Sequence, residues 1–254
     1  MTPAQKFRII TWNCNHGSWQ NRCNLLKKFR PDIIILQEIT DPKRENDDHF
    51  VWVPSRRTVE KGVAVISSDD LKMSFYPVSK DLPEIFMPIR VTGKVAFNLL
   101  AVWTLDEKNY AGSFGPVLTE YHDFLTSPSI IAGDFNSSPK VRVKNKDFDH
   151  PWLEGVLDQK LGLVSAYHTH NQIQPGKETP DRSTFFMYGH RDRAFHLDYC
   201  FVPKNWTIDD AKIGSYDEWC NKEKIGTEQW SDHCPLIVDL LVNKKEIPEK
   251  ELKS

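Results

Sequence analysis

The sequence predicts an α/β protein in which sheets and helices form layers, and two observations support this fold class. Seven short apolar runs have the length and the β-branched content of buried strands. Segments with helical spacing lie between some of these runs. Buried strands interspersed with helices are typical of a layered α/β domain, and not of a helical bundle or a pure β-sandwich. The seven runs cover residues 7–12, 33–36, 63–66, 97–102, 130–132, 199–202 and 236–240.

Two helices are predicted from their starts and their spacing. Ser18 is a residue type that favours the N-cap, and apolar residues follow it at positions 19, 23, 26 and 29. Pro116 is favoured in the first turn of a helix, and apolar residues between 117 and 125 fall on one face after it. Residues 71–102 contain strand-like runs without an evident helix, so we expect part of the sheet to pair antiparallel.

The length and composition indicate one soluble globular domain. The chain has 254 residues, of which 39% are hydrophobic and 27% charged, and no apolar run approaches the ~18–20 residues of a membrane span. We expect a domain over residues 1–243 and a charged tail over 244–254. The N-terminus lacks a signal-peptide pattern, and the five cysteines include no C-x-x-C pair, which favours reduced thiols. These features predict a cytoplasmic monomer without a membrane partner.

Polar side chains occur at the ends of five predicted strands. Each has an ordinary explanation by itself, because amides and Asp suit turns, Glu38 suits a solvated strand end, and Asp232 suits a capping turn. Together they would form a rigid polar site at one edge of a sheet core. The residues are Asn13, Asn15, Glu38, Asp134, Asn136, Asp198, Asp232 and His233.

The order of six short motifs resembles that of the endonuclease/exonuclease/phosphatase superfamily. The superfamily includes exonuclease III, the apurinic/apyrimidinic endonucleases, pancreatic deoxyribonuclease, neutral sphingomyelinases and inositol polyphosphate 5-phosphatases. The resemblance covers nearly the whole chain, and as a set the motifs are highly specific. It implies a four-layer α/β sandwich, in which two mixed β-sheets are flanked by helices and the active site lies at one edge. The motifs are Thr11-Trp12-Asn13-Cys14-Asn15, Leu36-Gln37-Glu38, Gly62-Val63-Ala64-Val65, Gly133-Asp134-Phe135-Asn136, Leu197-Asp198-Tyr199 and Ser231-Asp232-His233.

The resemblance implies a divalent metal ion. A few oxygen ligands without thiols suit Mg²⁺, with Mn²⁺ as a substitute. By resemblance, Glu38 is the principal metal ligand, and Asp232 has a secondary role at the ion or its water. Asn13 and Asn15 lie nearby, where Asn13 contributes to the metal site and Asn15 binds substrate.

The same resemblance assigns catalytic roles to four residues. Asp134 orients or deprotonates the attacking water, and Asn136 donates a hydrogen bond to the charge that develops on the phosphate. His233 contacts the phosphate, while Asp198 orients its imidazole and keeps it cationic. The implied reaction is hydrolysis of a phosphoester by in-line attack of water, which depends mainly on positioning and electrostatic stabilisation.

Trp103 departs from the superfamily's pattern, since a His or Tyr that touches the phosphate or the leaving group is common at this position. Indole is not a general acid and has a single N–H donor. Two interpretations are open. Trp103 either contacts substrate, by stacking on a base or sugar or donating to a phosphate oxygen, or it only packs at the rim.

Basic residues flank several of the polar strand ends. The net charge of −2 gives the chain no general affinity for polyanions, so a nucleic-acid partner would need a local basic patch. The basic clusters either line a groove for a phosphate backbone or form solvated faces. The candidate substrate contacts are Arg90, Lys140, Arg142 and Arg191. Three basic clusters are present: Lys140, Arg142, Lys144 and Lys146; Arg56 and Arg57; and Arg191 and Arg193.

Three functions fit the sequence. The first is a Mg²⁺-dependent nuclease that acts on DNA, which the basic clusters favour. The second is a phosphatase or phosphodiesterase of a small-molecule or lipid phosphoester, which is compatible with the net charge and with Trp103. The third is a catalytically weak binding module, against which the complete set of polar residues argues.

Overall fold

The computed structural model describes residues 4–58, 60–77, 81–83, 85–105, 109–142, 146–225 and 231–242. Its strands are β1 (Gln5–Asn13), β2 (Ile33–Thr40), β3 (Phe50–Pro54), β4 (Lys61–Ser67), β5 (Leu71–Phe75), β6 (Phe86–Gly93), β7 (Phe97–Trp103), β8 (Ser129–Asp134), β9 (Leu163–Ser165), β10 (Phe185–Phe186), β11 (Ala194–Phe195), β12 (Asp198–Pro203), β13 (Thr207–Ile213) and β14 (Leu236–Val242). Its helices are α1 (Trp19–Leu26), α2 (Phe114–Glu120), α3 (His122–Thr126), α4 (His150–Leu161), α5 (Ala166–Asn171), α6 (Tyr216–Trp219) and α7 (Lys222–Ile225).

Two six-stranded sheets form the centre of the protein. The first has the strand order β13-β14-β1-β2-β4-β3 and the second β5-β6-β7-β8-β12-β9, while β10 and β11 form a separate hairpin. β1 pairs parallel with β2, and β7 pairs parallel with β8. The neighbouring pairs β1 with β14 and β8 with β12 are antiparallel. Both sheets are therefore mixed, as the resemblance implies.

Three apolar clusters hold the layers together. The central cluster lies between the sheets and includes Ile35 of β2 and Ile130 of β8. A second cluster packs Val117 of α2 and Leu153 of α4 on the outer face of the second sheet. A third packs Leu26 of α1 against the first sheet. Each buried aliphatic side chain contributes roughly 1.5–3 kcal/mol, and the resulting four-layer sandwich confirms the predicted fold class.

The predicted elements agree with most of the observed ones. All seven predicted runs lie inside strands, and β5, β6 and β7 pair antiparallel. Ser18 caps α1, since its hydroxyl oxygen accepts a hydrogen bond from the Asn21 N–H at 3.3 Å. The helix predicted at Pro116 is wrong in its extent. It begins at Phe114, before the proline, and breaks at Tyr121, whose φ of −100° and ψ of 23° separate α2 from α3.

Other elements and boundaries were not predicted, or lie outside the described residues. β13 is an edge strand with mostly exposed or half-buried residues, so it lacks a continuous apolar run. α4 does carry signals in its sequence, because Asp149 caps its first turn and Gly162 ends it with a φ of 64°. Residues 143–145 of the basic cluster and the tail from 243 onward lie outside the described residues. The domain limit at 243 stays a prediction, and no described helix is long and apolar enough to cross a membrane.

Strand ends from both sheets meet at one edge of the sandwich. Asn13 ends β1 and pairs with Gln37 of β2. Asp134 ends β8 and pairs with Asp198 at the start of β12. β8 packs against β1 and β2 across the central core, and His233 comes shortly before β14. The topology therefore brings side chains that are far apart in sequence to one place.

Unusual backbone conformations are found at the same edge. Glu38 has a φ of 60°, and its pairing with β4 shifts between Leu36 and Ile39, which is the signature of a β-bulge. Asn136 has a φ of 47°. Gly133 has a φ of 149°, and a Cβ atom there would lie 1.9 Å from the carbonyl oxygen of Val102. Strained positions of this kind are often associated with functional sites.

Gly133 is expected to tolerate no side chain. Gly133→Ala should lower the free energy of unfolding by roughly 3 kcal/mol or more, since the methyl group meets fixed backbone and the φ is unfavourable. Gly155→Ala is the matched control. Its Cβ would meet nothing within 4 Å inside α4, so it should stabilise the protein by about 0.5–1 kcal/mol. Urea unfolding of both variants measures the difference, and equal stabilities would contradict the described packing at Gly133.

Candidate active site

Asn13 connects carboxylates from both sheets. Its side-chain Nδ2 donates to Glu38 Oε1 at 3.1 Å and to Asp134 Oδ2 at 2.9 Å. Its Oδ1 accepts from the backbone N–H of Asn15 at 3.0 Å. Both amide hydrogens are therefore used to orient carboxylates, and Oδ1 is the atom of Asn13 with an electron pair left for a cation.

Asn136 orients Asp134 from the other side. Its backbone N–H donates to Asp134 Oδ1 at 2.8 Å, and its Nδ2 donates to Asp134 Oδ2 at 3.2 Å and to the Thr104 carbonyl at 3.0 Å. In this arrangement the side chain of Asn136 positions the carboxylate. The predicted donation to phosphate would require one of these hydrogen bonds to break.

Asp198 and His233 form a buried ion pair. Asp198 Oδ2 lies 2.8 Å from His233 Nδ1. Burial by itself would lower the pKa of the imidazole, but the charge of Asp198 and its hydrogen bond outweigh burial and raise the pKa to about 10. His233 is therefore cationic at neutral pH, and Nε2 is its second donor.

The segment that carries His233 is attached to the first sheet. The Ser231 hydroxyl donates to the Asn13 carbonyl at 2.7 Å and accepts from the His233 N–H at 3.0 Å. The indole N–H of Trp12 donates to the His233 carbonyl at 2.8 Å. Thr184 Oγ1 accepts from the Asp198 N–H at 3.1 Å. These bonds fix both partners of the ion pair to rigid strands.

The carboxylates at the site differ in protonation. Burial raises the pKa of Asp134 to about 7, and Asp198 adds to the rise while His233 opposes it. Burial would also raise the pKa of Glu38, but hydrogen bonds from Lys61 and Asn13 outweigh it and lower the pKa. Lys61 Nζ lies 2.5 Å from Glu38 Oε2. Glu38 is therefore ionised at neutral pH, whereas Asp134 is close to its midpoint.

The donor set fits a hard divalent cation. One ligand atom from each of Asp134, Asp198 and His233 lies within 4.8 Å of the others. Asp198 Oδ1 is buried and has no hydrogen-bond partner among the described residues. Carboxylate and amide oxygens are the ligands that Mg²⁺ and Mn²⁺ prefer. Because a cationic imidazole is not a ligand, the atoms of this group suited to hold an ion are the oxygens of Asp134 and Asp198. Glu38 and Asn13 Oδ1 are further oxygen donors, joined to Asp134 through the Asn13 side chain.

Two further predicted residues lie beside this cluster. Asn15 has a φ of 42° and is tied to Asn13 through its backbone N–H. Asp232 is half-buried, and its charge contributes to the raised pKa of His233. Its carboxylate is not among the three groups that lie within 4.8 Å of one another, so its secondary role at the metal stays a prediction.

The structure decides between the two interpretations of Trp103 in favour of packing, and it contradicts the prediction for Arg90. Trp103 is 3% exposed and belongs to the central apolar cluster, so its ring has no free face on which a base could stack. Arg90 pairs with Asn98 of β7, and Asn98 pairs with Ser129 at the start of β8. Arg90 therefore lies toward the opposite end of the strands from Asp134, where its guanidinium stacks on Tyr76 at 5.4 Å.

The other predicted basic contacts differ in how far they are available. Lys140 Nζ donates to the Glu178 carbonyl at 2.7 Å and lies 3.4 Å from its carboxylate. Arg191 is exposed, donates to Asp181 and stacks on Tyr216. Arg142 is exposed. Protein groups thus already engage two of these three cations.

Sequence reasoning missed three residues that contribute to the site. Lys61 forms an ion pair with Glu38. Thr184 Oγ1 accepts a hydrogen bond from the backbone N–H of Asp198. The ring of Phe185 lies 4.7 Å from that of His233. No local pattern distinguishes Thr184 or Phe185. Lys61 directly precedes the Gly62-Val63-Ala64-Val65 motif, and this position next to a matched motif is the one signal that could have identified it.

The comparisons with known proteins place the chain in a family. The sequence profile of the Endonuclease/Exonuclease/phosphatase family matches residues 10–233. No curated protein sequence matches the chain. This protein therefore belongs to the Endonuclease/Exonuclease/phosphatase family, a family of phosphoester hydrolases, and the resemblance read from the motifs is confirmed.

Solved structures share the fold at low sequence identity. A 3′ phosphatase, NExo, from Neisseria bound to a product DNA hairpin is 21% identical, with a TM-score of 0.58 over 91% of this chain and 98% of that chain. An AP endonuclease from Archaeoglobus fulgidus is 20% identical, with a TM-score of 0.61 over 91% and 98%. D. rerio TDP2 complexed with a single-strand DNA product is 16% identical, with a TM-score of 0.62 over 93% and 99%.

The raised pKa of His233 should disappear when its partner is neutral. In the metal-free protein, NMR titration should show the His233 imidazole protonated up to about pH 10. In Asp198→Asn the pKa of His233 should fall well below 10, because the groups that oppose burial are then only the charges of Asp134 and Asp232. The pair stabilises the folded protein fully below pH 6.5, and its contribution is lost as the pH rises through 10. An unchanged titration in the variant would contradict the ion pair.

Proposed function

We propose that the protein is a divalent-metal-dependent phosphoesterase that hydrolyses phosphodiester bonds in DNA. The observation that carries the proposal is the 2.8 Å pair of Asp198 and His233 beside the buried carboxyl of Asp134. A fixed cationic donor and a carboxylate that can accept a proton at neutral pH lie in one small volume. In-line hydrolysis of a phosphate ester uses both groups.

Asp134 would accept a proton from the attacking water. Its pKa of about 7 is in the range where a general base works well at neutral pH. Asn13 and Asn136 hold both of its oxygens in a fixed direction. As the water oxygen bonds to phosphorus, its proton passes to Asp134, and the electron pair of the breaking P–O bond leaves with the departing oxygen.

His233 would stabilise the charge that develops on the phosphate. Its Nε2–H can donate to a non-bridging phosphate oxygen, while Asp198 keeps the ring cationic and correctly oriented. Glu38, held by its bulge and by Asn13, is the carboxylate best placed to bind the divalent ion. When bound, that ion supplies positive charge for the phosphate and the leaving oxygen.

Two observations support DNA as the substrate. NExo and TDP2, which share the fold, have been described with DNA products. In addition, the loop between β10 and β11 is exposed and basic, and Phe185 of its hairpin contacts His233. That loop carries Arg191, Arg193 and Tyr188, whose side chain is 78% exposed. A basic, aromatic loop beside the site suits a nucleic-acid backbone and its bases.

Cleavage of end-labelled duplex DNA, with and without an abasic site, tests the proposal. At low salt with Mg²⁺ the wild type should cleave, and EDTA should abolish cleavage. Asp134→Asn should lower kcat by ~10²–10⁴-fold, since it removes the proton acceptor. Asp123→Asn, a fully exposed carboxylate on α3, is the matched control and should retain wild-type activity. A folded wild type that cleaves neither duplex with Mg²⁺ or Mn²⁺ would overturn the DNA assignment.

A small-molecule phosphoester is the second candidate substrate. The observation that favours it is that several predicted backbone contacts already have protein partners. Lys140 is held by Glu178, Arg191 by Asp181, and Arg57 donates to the Leu105 carbonyl. Because these cations already have protein partners, a small substrate without an extended phosphate backbone would lose little binding affinity.

The dependence on salt distinguishes the two substrates. If the protein neutralises several phosphates of a duplex, kcat/KM for DNA should fall steeply between 50 and 200 mM KCl, by ~10-fold or more. Turnover of a phosphomonoester such as p-nitrophenyl phosphate should change less than about threefold over the same range. A flat salt profile with DNA, together with efficient monoester turnover, would favour the small-molecule substrate.

A further inference from the structure

Lys61 occupies an unusual position at the candidate metal site. It is the first residue of β4, opposite Thr40, close to the bulge that carries Glu38. Its side chain is 16% exposed and that of Glu38 is 21% exposed. A lysine at the end of a strand would ordinarily extend into water. The Lys61 side chain instead turns inward to the Glu38 carboxylate.

The ammonium group of Lys61 occupies one of the two carboxylate oxygens that Glu38 could offer to a metal ion. Glu38 Oε1 already accepts from Asn13 at 3.1 Å, and Oε2 accepts from Lys61 Nζ at 2.5 Å. A Mg²⁺ ion binds a carboxylate oxygen at about 2.0–2.1 Å. An ion on Oε2 would therefore share that atom with a second positive charge only a few ångströms away, and the two would repel each other.

We propose that Lys61 is a cation-exchange residue, which replaces the divalent ion at Glu38 in the metal-free protein and turns to a phosphate oxygen once the ion is bound. This inference rests on the proposed metal-dependent phosphoesterase function. The flexible four-carbon stem of lysine permits the movement, and its compact charge suits a phosphate. No covalent bond forms or breaks in the exchange.

The exchange explains two features of the site together. In the metal-free protein, Lys61 forms the ion pair that compensates the half-buried carboxylate of Glu38 in its bulge. In the loaded protein, the same charge becomes available to substrate. Lys61 thus acts on phosphate binding directly and on metal binding by competition.

Metal affinity in the absence of substrate tests the competition. Mn²⁺ is titrated into the 254-residue chain at low ionic strength, and binding is followed by electron paramagnetic resonance. Lys61→Met should bind Mn²⁺ about tenfold more tightly than the wild type, because the competing charge is gone. Lys61→Arg keeps the charge and should stay within about threefold of the wild type.

Lys94→Met is the matched control. Lys94 is also a partly buried lysine, 23% exposed, and pairs with Asp32 and Asp70 away from the site. Its substitution should leave Mn²⁺ affinity unchanged. A second titration, of inorganic phosphate into the Mn²⁺-saturated proteins, should show about tenfold weaker binding in Lys61→Met and no change in Lys94→Met.

The outcomes separate this inference from the proposed function, since neither titration needs turnover. If Lys61→Met is folded and binds Mn²⁺ no more tightly than the wild type, Lys61 is a structural ion pair and the competition is overturned. If phosphate binding is unchanged, the transfer to phosphate is overturned. DNA cleavage by the wild type would stand in either case, whereas a wild type that binds no Mn²⁺ would overturn both proposals.

Discussion

The side-chain amide of Asn13 donates to a carboxylate from each sheet, and the geometry of the site depends on this pair of hydrogen bonds. Glu38 comes from β2 beside Asn13, whereas Asp134 comes from β8 across the central core. Two carboxylates at the end of an apolar core are costly unless donors satisfy them. Asn13 satisfies both while fixing their separation, so the packing of the two sheets becomes part of the geometry of the site.

The other polar groups of the site determine which residues around Asn13 are charged. Asp198 holds His233 in its cationic form, burial keeps Asp134 near its protonation midpoint, and Lys61 compensates Glu38. The three carboxylates therefore have different partners, and the pKa of Asp134 is raised while that of Glu38 is lowered. Such differences allow neighbouring acids to take different roles in one reaction. The strained backbone at Glu38 is stabilised by the surrounding sheet, which also limits how far this residue can move.

The sequence predicted the fold well because buried strands are apolar, short and rich in β-branched residues. It also located Asn13, Glu38, Asp134, Asp198 and His233, since polar residues at the ends of apolar strands are conspicuous and their order matched a family. It could not predict Lys61 or Thr184, because their contacts follow from sheet register and hairpin placement. The sequence left the role of Trp103 open and misplaced Arg90 for a related reason. A strand's sequence does not state which face is buried or which end lies near the site, and only the three-dimensional pairing fixes both.

The central claim is that water attacks phosphorus at this cluster, and isotope transfer measures it most directly. The reaction is run for a single turnover in water enriched in ¹⁸O, and the phosphate-bearing product is analysed by mass spectrometry. Direct attack assisted by Asp134 predicts one ¹⁸O atom on the product phosphate. A product phosphate without ¹⁸O would contradict the account, because the bond would then have been broken on its carbon side, by elimination or by attack at carbon.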